Sequence, residues 1–289
     1  MFDTENASED GVRDRKVVFK TRDGAELVGR LYHPAMTPFA IVVLNAATGV
    51  SQSYYRHFAR WLAAERGLAC LTYDYRDMGA SARIHPRQSR ADMADWGVTD
   101  AEAARHWVHR EMPEMPIWII GHSLGAMLVP MQGARENVAR VIGVASGEVH
   151  HSDHPWPFRA MAMTFWFGLG PLATAAFGYL PGRTIGFGSD LPSPAYWQWR
   201  RWCISRSFHR SDIGTRLSEP RWGKSDAPVR LVAFSDDEMI PPRCVWRLGA
   251  RYGEYEPVLI DPAESGLDKV GHLGVFAPRN KALWDQVLG

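Results

Sequence analysis

Between Ala40 and Ile120 the chain alternates two kinds of apolar pattern. "AIVVLN", "LACLTYD" and "PIWII" are short runs without polar alternation, as expected of strands buried on both faces. "YRHFARWLAAERG" and "ADWGVTDAEAARHWVHREM" instead repeat apolar residues at helical spacing, with charges between them. Strand, helix and strand in that order predict parallel strands joined by crossover helices. The theme continues with a helix from about Leu124 to Glu136, strands "VARVIGVAS" and "PVRLVAFS", a helix near "RCVWRLGARYG", strand "EPVLID" and a terminal helix "NKALWDQVL". Ahead of it all, "KVVFKT" and "ELVGRLYHP" flank the turn Arg22-Asp23-Gly24-Ala25, which reads as a hairpin. The predicted class is α/β: a doubly wound, mostly parallel sheet of about eight strands that begins antiparallel.

The alternation stops between Gly147 and Lys224, where aromatics are interleaved with Pro and Gly ("HPWPFRAMAMTFWFGLG", "AYWQWRRW"). This predicts a helical lid inserted after the sixth strand, over the sheet's carboxyl edge. The expected organisation is a disordered tail over 1–15, a core over 16–146 and 225–289, and the lid over 147–224. The lid's longest apolar run, "AMAMTFWFGLG", is glycine-broken and short of the roughly 20 residues that cross a bilayer, so no membrane span is expected.

Composition narrows the partners rather than the fold. At 289 residues, 46% hydrophobic and 22% charged, the chain is neither disordered nor fibrous. Its 33 Lys+Arg against 32 Asp+Glu leave a net charge of +1, too little to favour nucleic acid, so a small-molecule partner is expected. The start, "MFDTENASEDGVRDRK", is acidic where a secretory signal is basic and then apolar, and Cys70, Cys203 and Cys244 are widely spaced. A cytoplasmic location is the expectation.

Candidate chemistry centres on Gly121-His122-Ser123-Leu124-Gly125, set between "IWII" and "AMLVP". Such a pentapeptide alone is equally a capped helix turn, but between a strand and a helix it is the setting of a nucleophile elbow. A serine there needs a base, an orienting acid and an oxyanion site, the acid and base following it in the chain. His272, in "KVGHLGVFAP", is the candidate base. Asp236 and Asp237, at the end of "VRLVAFSDDEMIPP", are both placed to be the acid; Asp237, four residues before Pro241, is preferred, and Glu148 in "ASGEVHH" is the alternative. The oxyanion donors expected are the backbone N–H groups of Leu124 and, from the loop "LNAATGVSQSYY", Ala47. Of the lid aromatics, Trp166 and Trp197 are the candidates to line an apolar substrate pocket. His150, His151, Asp153 and His154 lie close in sequence, but no register puts three on one face, so no metal site and no cofactor are expected.

With these residues in view the chain resembles the α/β-hydrolases, in the lid-bearing serine-hydrolase arrangement of lipases, esterases and thioesterases. "YDYRDMGAS", Tyr73 to Ser81, is similar to that family's turn after the fourth strand, with Asp77 where glycine is usual. The family's common His-Gly before the first oxyanion donor is Asn45-Ala46 here. The resemblance implies a carboxylic ester or thioester hydrolase working through an acyl-enzyme on Ser123, with His272 as base and Asp237 holding its tautomer. The same triad also serves acyl transfer or C–C bond hydrolysis, and the same fold serves non-catalytic ligand binding.

Overall fold

A computed structural model describes residues 6–7, 11–133, 135, 137–223 and 226–289. Eight strands build its main sheet: β1 (Arg13–Lys20), β2 (Glu26–His33), β3 (Ile41–Asn45), β4 (Ala69–Tyr73), β5 (Ile117–His122), β6 (Val138–Val144), β7 (Val229–Phe234) and β8 (Glu256–Ile260). Their spatial order is β1-β2-β4-β3-β5-β6-β7-β8, with Asn6–Ala7 added at the β1 edge. β1, β2 and β4 pair antiparallel, and β4 through β8 are parallel.

The turn between β1 and β2 is closed by Thr21, whose N–H donates to the Ala25 carbonyl at 2.9 Å, and by Gly24 at φ +88°. Only glycine takes that backbone conformation without steric cost. In β3 and β4 all five residues of each strand are buried, which is why their apolar runs carry no alternation. β8 is an edge strand and is largely exposed.

Helix α1 (Arg56–Arg66) turns Phe58, Ala59, Trp61, Leu62 and Ala63 inward, and ends where Gly67 adopts a left-handed φ of 62°. Helix α2 (Ala101–Glu111) follows a wide turn over Asp95–Asp100. The chain runs from β3 to β4 on one side, then crosses back over β3 to β5. That reversal makes the carboxyl ends of β3 and β5, where Asn45 pairs with Gly121, the switch point of the sheet.

Three local expectations are corrected. Of the tail expected over 1–15, residues 1–5 and 8–10 lie outside the described residues, but Asn6–Ala7 pair with Arg13–Asp14 and β1 already begins at Arg13. Of the helix expected from Leu124 to Glu136, positions 134 and 136 lie outside the described residues, and the described part is only α3 (Leu124–Met127), followed by a tight turn at Val129–Met131. Pro130 has no N–H to continue the ladder, and its ring crowds the carbonyl of the preceding turn. Finally, the apolar run judged too short and glycine-broken is part of a 20-residue helix, α4 (Phe158–Phe177), long and apolar enough to cross a membrane by length and composition. A π-helical stretch over Phe165–Leu169 carries it through Gly168. A Cβ at Gly170 would collide with the Tyr196 hydroxyl, so glycine there lets the next helix, α5 (Ser193–Ile204), pack close.

Both helices belong to a segment inserted between β6 and β7. Their shared face is an aromatic cluster of Phe165, Trp166, Tyr196 and Trp199.

Candidate active site

Ser123 ends β5 with φ 53° and ψ −113°, a conformation that non-glycine residues rarely occupy. The turn is held on both sides: Ser123 N–H donates to the Val144 carbonyl at 3.0 Å, and Ser146 Oγ donates to the Ser123 carbonyl at 2.5 Å. A Cβ at Gly121 would strike the backbone of Gly125 and Ala126, and one at Gly125 would strike the Asn45 carbonyl. Glycine at both ends is therefore what lets the chain double back. Asn45 completes the packing, donating from Nδ2 to the Gly125 carbonyl at 2.9 Å and accepting at Oδ1 from Tyr73 Oη at 2.8 Å. Ser123 Oγ has no hydrogen-bond partner among the described residues, and its residue is half-buried.

His272 stands on a single helical turn, α7 (Gly271–Gly274), counting α6 (Pro242–Tyr252) before it. Its Nδ1 lies 2.9 Å from Asp237 Oδ2, with the Asp237 side chain fully buried. The other carboxylate oxygen of Asp237 accepts the N–H groups of Met239 and Ile240, at 2.9 and 2.8 Å. This carboxylate is thus locked to its own turn on one side and to the imidazole on the other.

The adjacent Asp236 does something different. Its Oδ2 accepts from the N–H groups of Val270 and Gly271, at 2.7 and 2.9 Å, and so clamps the start of the turn that carries His272. Glu148, the alternative acid, is taken by Arg251 through two hydrogen bonds of 2.7 and 3.2 Å.

His122, inside the elbow pentapeptide, is fully buried and links three parts of the site. Tyr55 Oη accepts the Ala47 N–H at 2.9 Å and lies 2.9 Å from His122 Nδ1, while His122 Nε2 lies 2.9 Å from the His272 carbonyl oxygen. A carbonyl only accepts, so Nε2 carries the proton; a neutral ring then leaves Nδ1 to accept from the tyrosine hydroxyl. Burial, then the neighbouring His272, pushes the His122 pKa down to about 3, so the ring is neutral. Tyr54 adds a second tie, donating from Oη to the Leu273 carbonyl.

These contacts revise several expected roles. The Ala47 N–H is engaged by Tyr55 and does not stand free as an oxyanion donor. No backbone partner competes for the N–H of Leu124 among the described loop and cap contacts. Trp166 is buried in the inserted segment's own aromatic cluster, with 4% of its surface exposed, and has no free face to line a pocket. Trp197 sits at the surface with the Arg200 guanidinium 5.7 Å above its ring. Among the described residues, no ring contact joins either tryptophan to His122 or His272. The run from His150 to His154 diverges: Asp153 pairs with Arg247 at 2.7 Å, His150 caps its own turn, and His154 Nδ1 faces the Glu238 carbonyl. Asp77, in the turn after β4, takes a positive φ of 59° and accepts from Ser89 Oγ at 2.6 Å, a conformation that Asp tolerates better than most residues. Tyr55 carries no motif in sequence, and Asp236 stands out only as a candidate acid, so nothing marked the part either plays in this geometry.

Comparison with known proteins agrees with this architecture. An esterase from Pyrococcus furiosus superposes with a TM-score of 0.60 at 14% identity, covering 99% of this chain and 95% of its own. The α/β hydrolase GrgF from Penicillium sp. sh18 gives 0.59 at 19% identity, covering 95% and 96%. A serine hydrolase homologue from Coxiella burnetii gives 0.53 at 16% identity, covering 95% of each chain. These likenesses concern the fold. No curated protein sequence matches the chain significantly. The family model described as "Alpha/beta hydrolase family" matches residues 41–283, from the first strand of the parallel sheet through the turn that bears His272. With most of its length inside that match and the strand order of the fold around it, the chain belongs to the α/β hydrolase family.

Proposed function

We propose that this protein is a serine hydrolase that cleaves a carboxylic ester or thioester of a small apolar acyl compound. The observation that carries the reading is the 2.9 Å contact of His272 Nδ1 with buried Asp237, together with a serine held in a strained turn whose neighbour, His122, is tied to the His272 carbonyl. Ser123 Oγ attacks the carbonyl carbon while His272 Nε2 takes its proton. Asp237 holds the ring in the tautomer that leaves Nε2 free, and stabilises the imidazolium that forms. The Leu124 N–H faces the developing oxyanion and is the donor this reading relies on. Collapse of the tetrahedral intermediate expels the alcohol or thiol, which leaves with the proton from His272. Water, activated by the same ring, then clears the acyl-enzyme.

In this reading the inserted segment, 147–224, acts as the lid. Its support is the close seat on the loop after β3: the Ser189 N–H donates to the Gly49 carbonyl at 3.0 Å, and Leu191 and Phe187 lie against Gly49.

Fluorophosphonate labelling tests the proposal. The wild type is expected to label and Ser123→Ala to lose the label, with p-nitrophenyl esters of graded chain length then reporting the acyl preference. A wild type that takes up no probe under any condition overturns it.

A further inference from the structure

The inserted segment's long helix presents an apolar face to solvent. α4 is about 30 Å long at 1.5 Å per residue. One stripe, Ala162, Trp166, Gly170, Ala173 and Thr174, packs inward. The rest of the helix circumference exposes Met161, Met163, Phe167, Leu169, Leu172 and Phe177, with Leu172 71% exposed. Trp156, just ahead of the helix, is 67% exposed. A surface helix of a globular protein ordinarily turns charged residues outward, and a helix whose outward positions carry this many exposed large apolar side chains marks an interaction site.

Charge around the face selects its partner. From His154 to Ser189, 36 residues pass without one Asp or Glu. Three arginines border the helix: Arg159 over the Trp156 ring at 6.0 Å, Arg200 over Phe167 at 5.8 Å, and Arg87 with its side chain against Gly178 at the helix end. Among the described residues none of the three has an ion-pair partner. A second copy docking the same face about a two-fold axis would bring arginines onto arginines. An anionic lipid surface meets both features, with headgroups for the guanidinium groups and acyl chains for the Met, Phe and Leu side chains.

We infer that this face of α4 is a docking surface for an anionic lipid bilayer, on which the helix lies parallel to the membrane plane with its inner stripe still packed on the protein. The inference is independent of the hydrolase reading, because neither the face nor its arginines include Ser123, Asp237 or His272.

Co-sedimentation of the full chain with vesicles tests it. Vesicles of phosphatidylcholine with one quarter phosphatidylglycerol are expected to bind the protein more tightly than phosphatidylcholine alone, and added salt is expected to weaken that binding. The double variant Phe167→Ser/Leu172→Ser is expected to bind at least tenfold more weakly while labelling with fluorophosphonate as the wild type does. A second variant, Met161→Ser/Met163→Ser, with its melting curve recorded beside it, covers the case in which the first fails to fold. Wild type that stays in the supernatant with both vesicle types overturns the inference, as does variant binding equal to wild type. Equally fatal is a wild-type dimer in sedimentation velocity that these variants split while vesicles bind nothing; the face then belongs to a second copy.

Discussion

His122 Nε2 lies 2.9 Å from the backbone carbonyl oxygen of His272, joining the elbow to a turn 150 residues away. The bond means that the strand bearing Ser123 and the turn bearing His272 are positioned against each other by a residue that takes no part in the chemistry proposed. Its other ring nitrogen reaches Tyr55, and through it the loop after β3.

His122→Phe removes both bonds and leaves the Tyr55 O–H donor and the His272 carbonyl buried without those partners, at about 1–3 kcal/mol each. The expected result is a clear loss of stability in urea and a lower kcat on a p-nitrophenyl ester, with KM nearly unchanged. His122→Gln, whose amide has one donating and one accepting end, is expected to recover part of both. Wild-type kcat in His122→Phe refutes the positioning role.

The depressed His122 pKa makes stability depend on pH. Above the ordinary histidine value of about 6.5, the ring is neutral both folded and unfolded, and burial costs nothing extra. Below it the unfolded chain gains a proton that the folded one refuses until about pH 3. Stability is therefore lost as pH falls through that window, by about 1.4 kcal/mol per pH unit for this group. Burial lowers the pKa of His209 and of His154 as well, which steepens the fall. Urea unfolding at pH 7.5 and 5.5 checks the slope, which His122→Gln is expected to reduce by about one proton.

The two adjacent aspartates separate by their partners. Asp237→Asn keeps an acceptor for Met239 and Ile240 but spoils the tautomer of His272, and is expected to lower kcat by about three to four orders of magnitude. Asp236→Ala releases the Val270 and Gly271 N–H groups, and is expected to cost stability and about tenfold in kcat, while Asp236→Asn restores most of both. Steady-state kinetics of the three variants decide; the reverse ranking assigns the acid to Asp236.

Two glycine substitutions make opposite predictions. Gly125→Ala drives a Cβ into the Asn45 carbonyl, a backbone atom that cannot yield, and is expected to cost more than about 2 kcal/mol. Gly168→Ala meets nothing within 4 Å inside α4, and is expected to be neutral or to stabilise by about 0.5–1 kcal/mol. Thermal melts of the two variants check the pair.

The sheet was legible because burial on both faces leaves one readable pattern. β3, β4 and β5 appear in sequence as unbroken apolar runs, and the hairpin ahead of them as a turn signal around Gly24. The early end of α3 was legible too, in Pro130, although the apolar periodicity running past it pointed to a longer helix. In the candidate site the elbow glycines, His272 and the Asp236-Asp237 pair stand out as residue types in chain order. Which aspartate meets the imidazole does not, because neighbours in a turn point to different places according to the turn's geometry.

By itself the sequence determined the order of strands and helices, the strained setting of Ser123 and the place of the insertion, all of which follow from local pattern and from short-range sterics. Tertiary structure alone decided that Ala47 gives its N–H to Tyr55, that His122 is a neutral link rather than a bystander, that Trp166 serves the insertion's own core, and that α4 runs unbroken with large apolar side chains exposed outside its inner stripe. Each of these depends on which groups from distant segments come within hydrogen-bonding or packing distance. A hydrogen bond acts over about 3 Å in space, and nothing in the separation along the chain encodes which partners reach it.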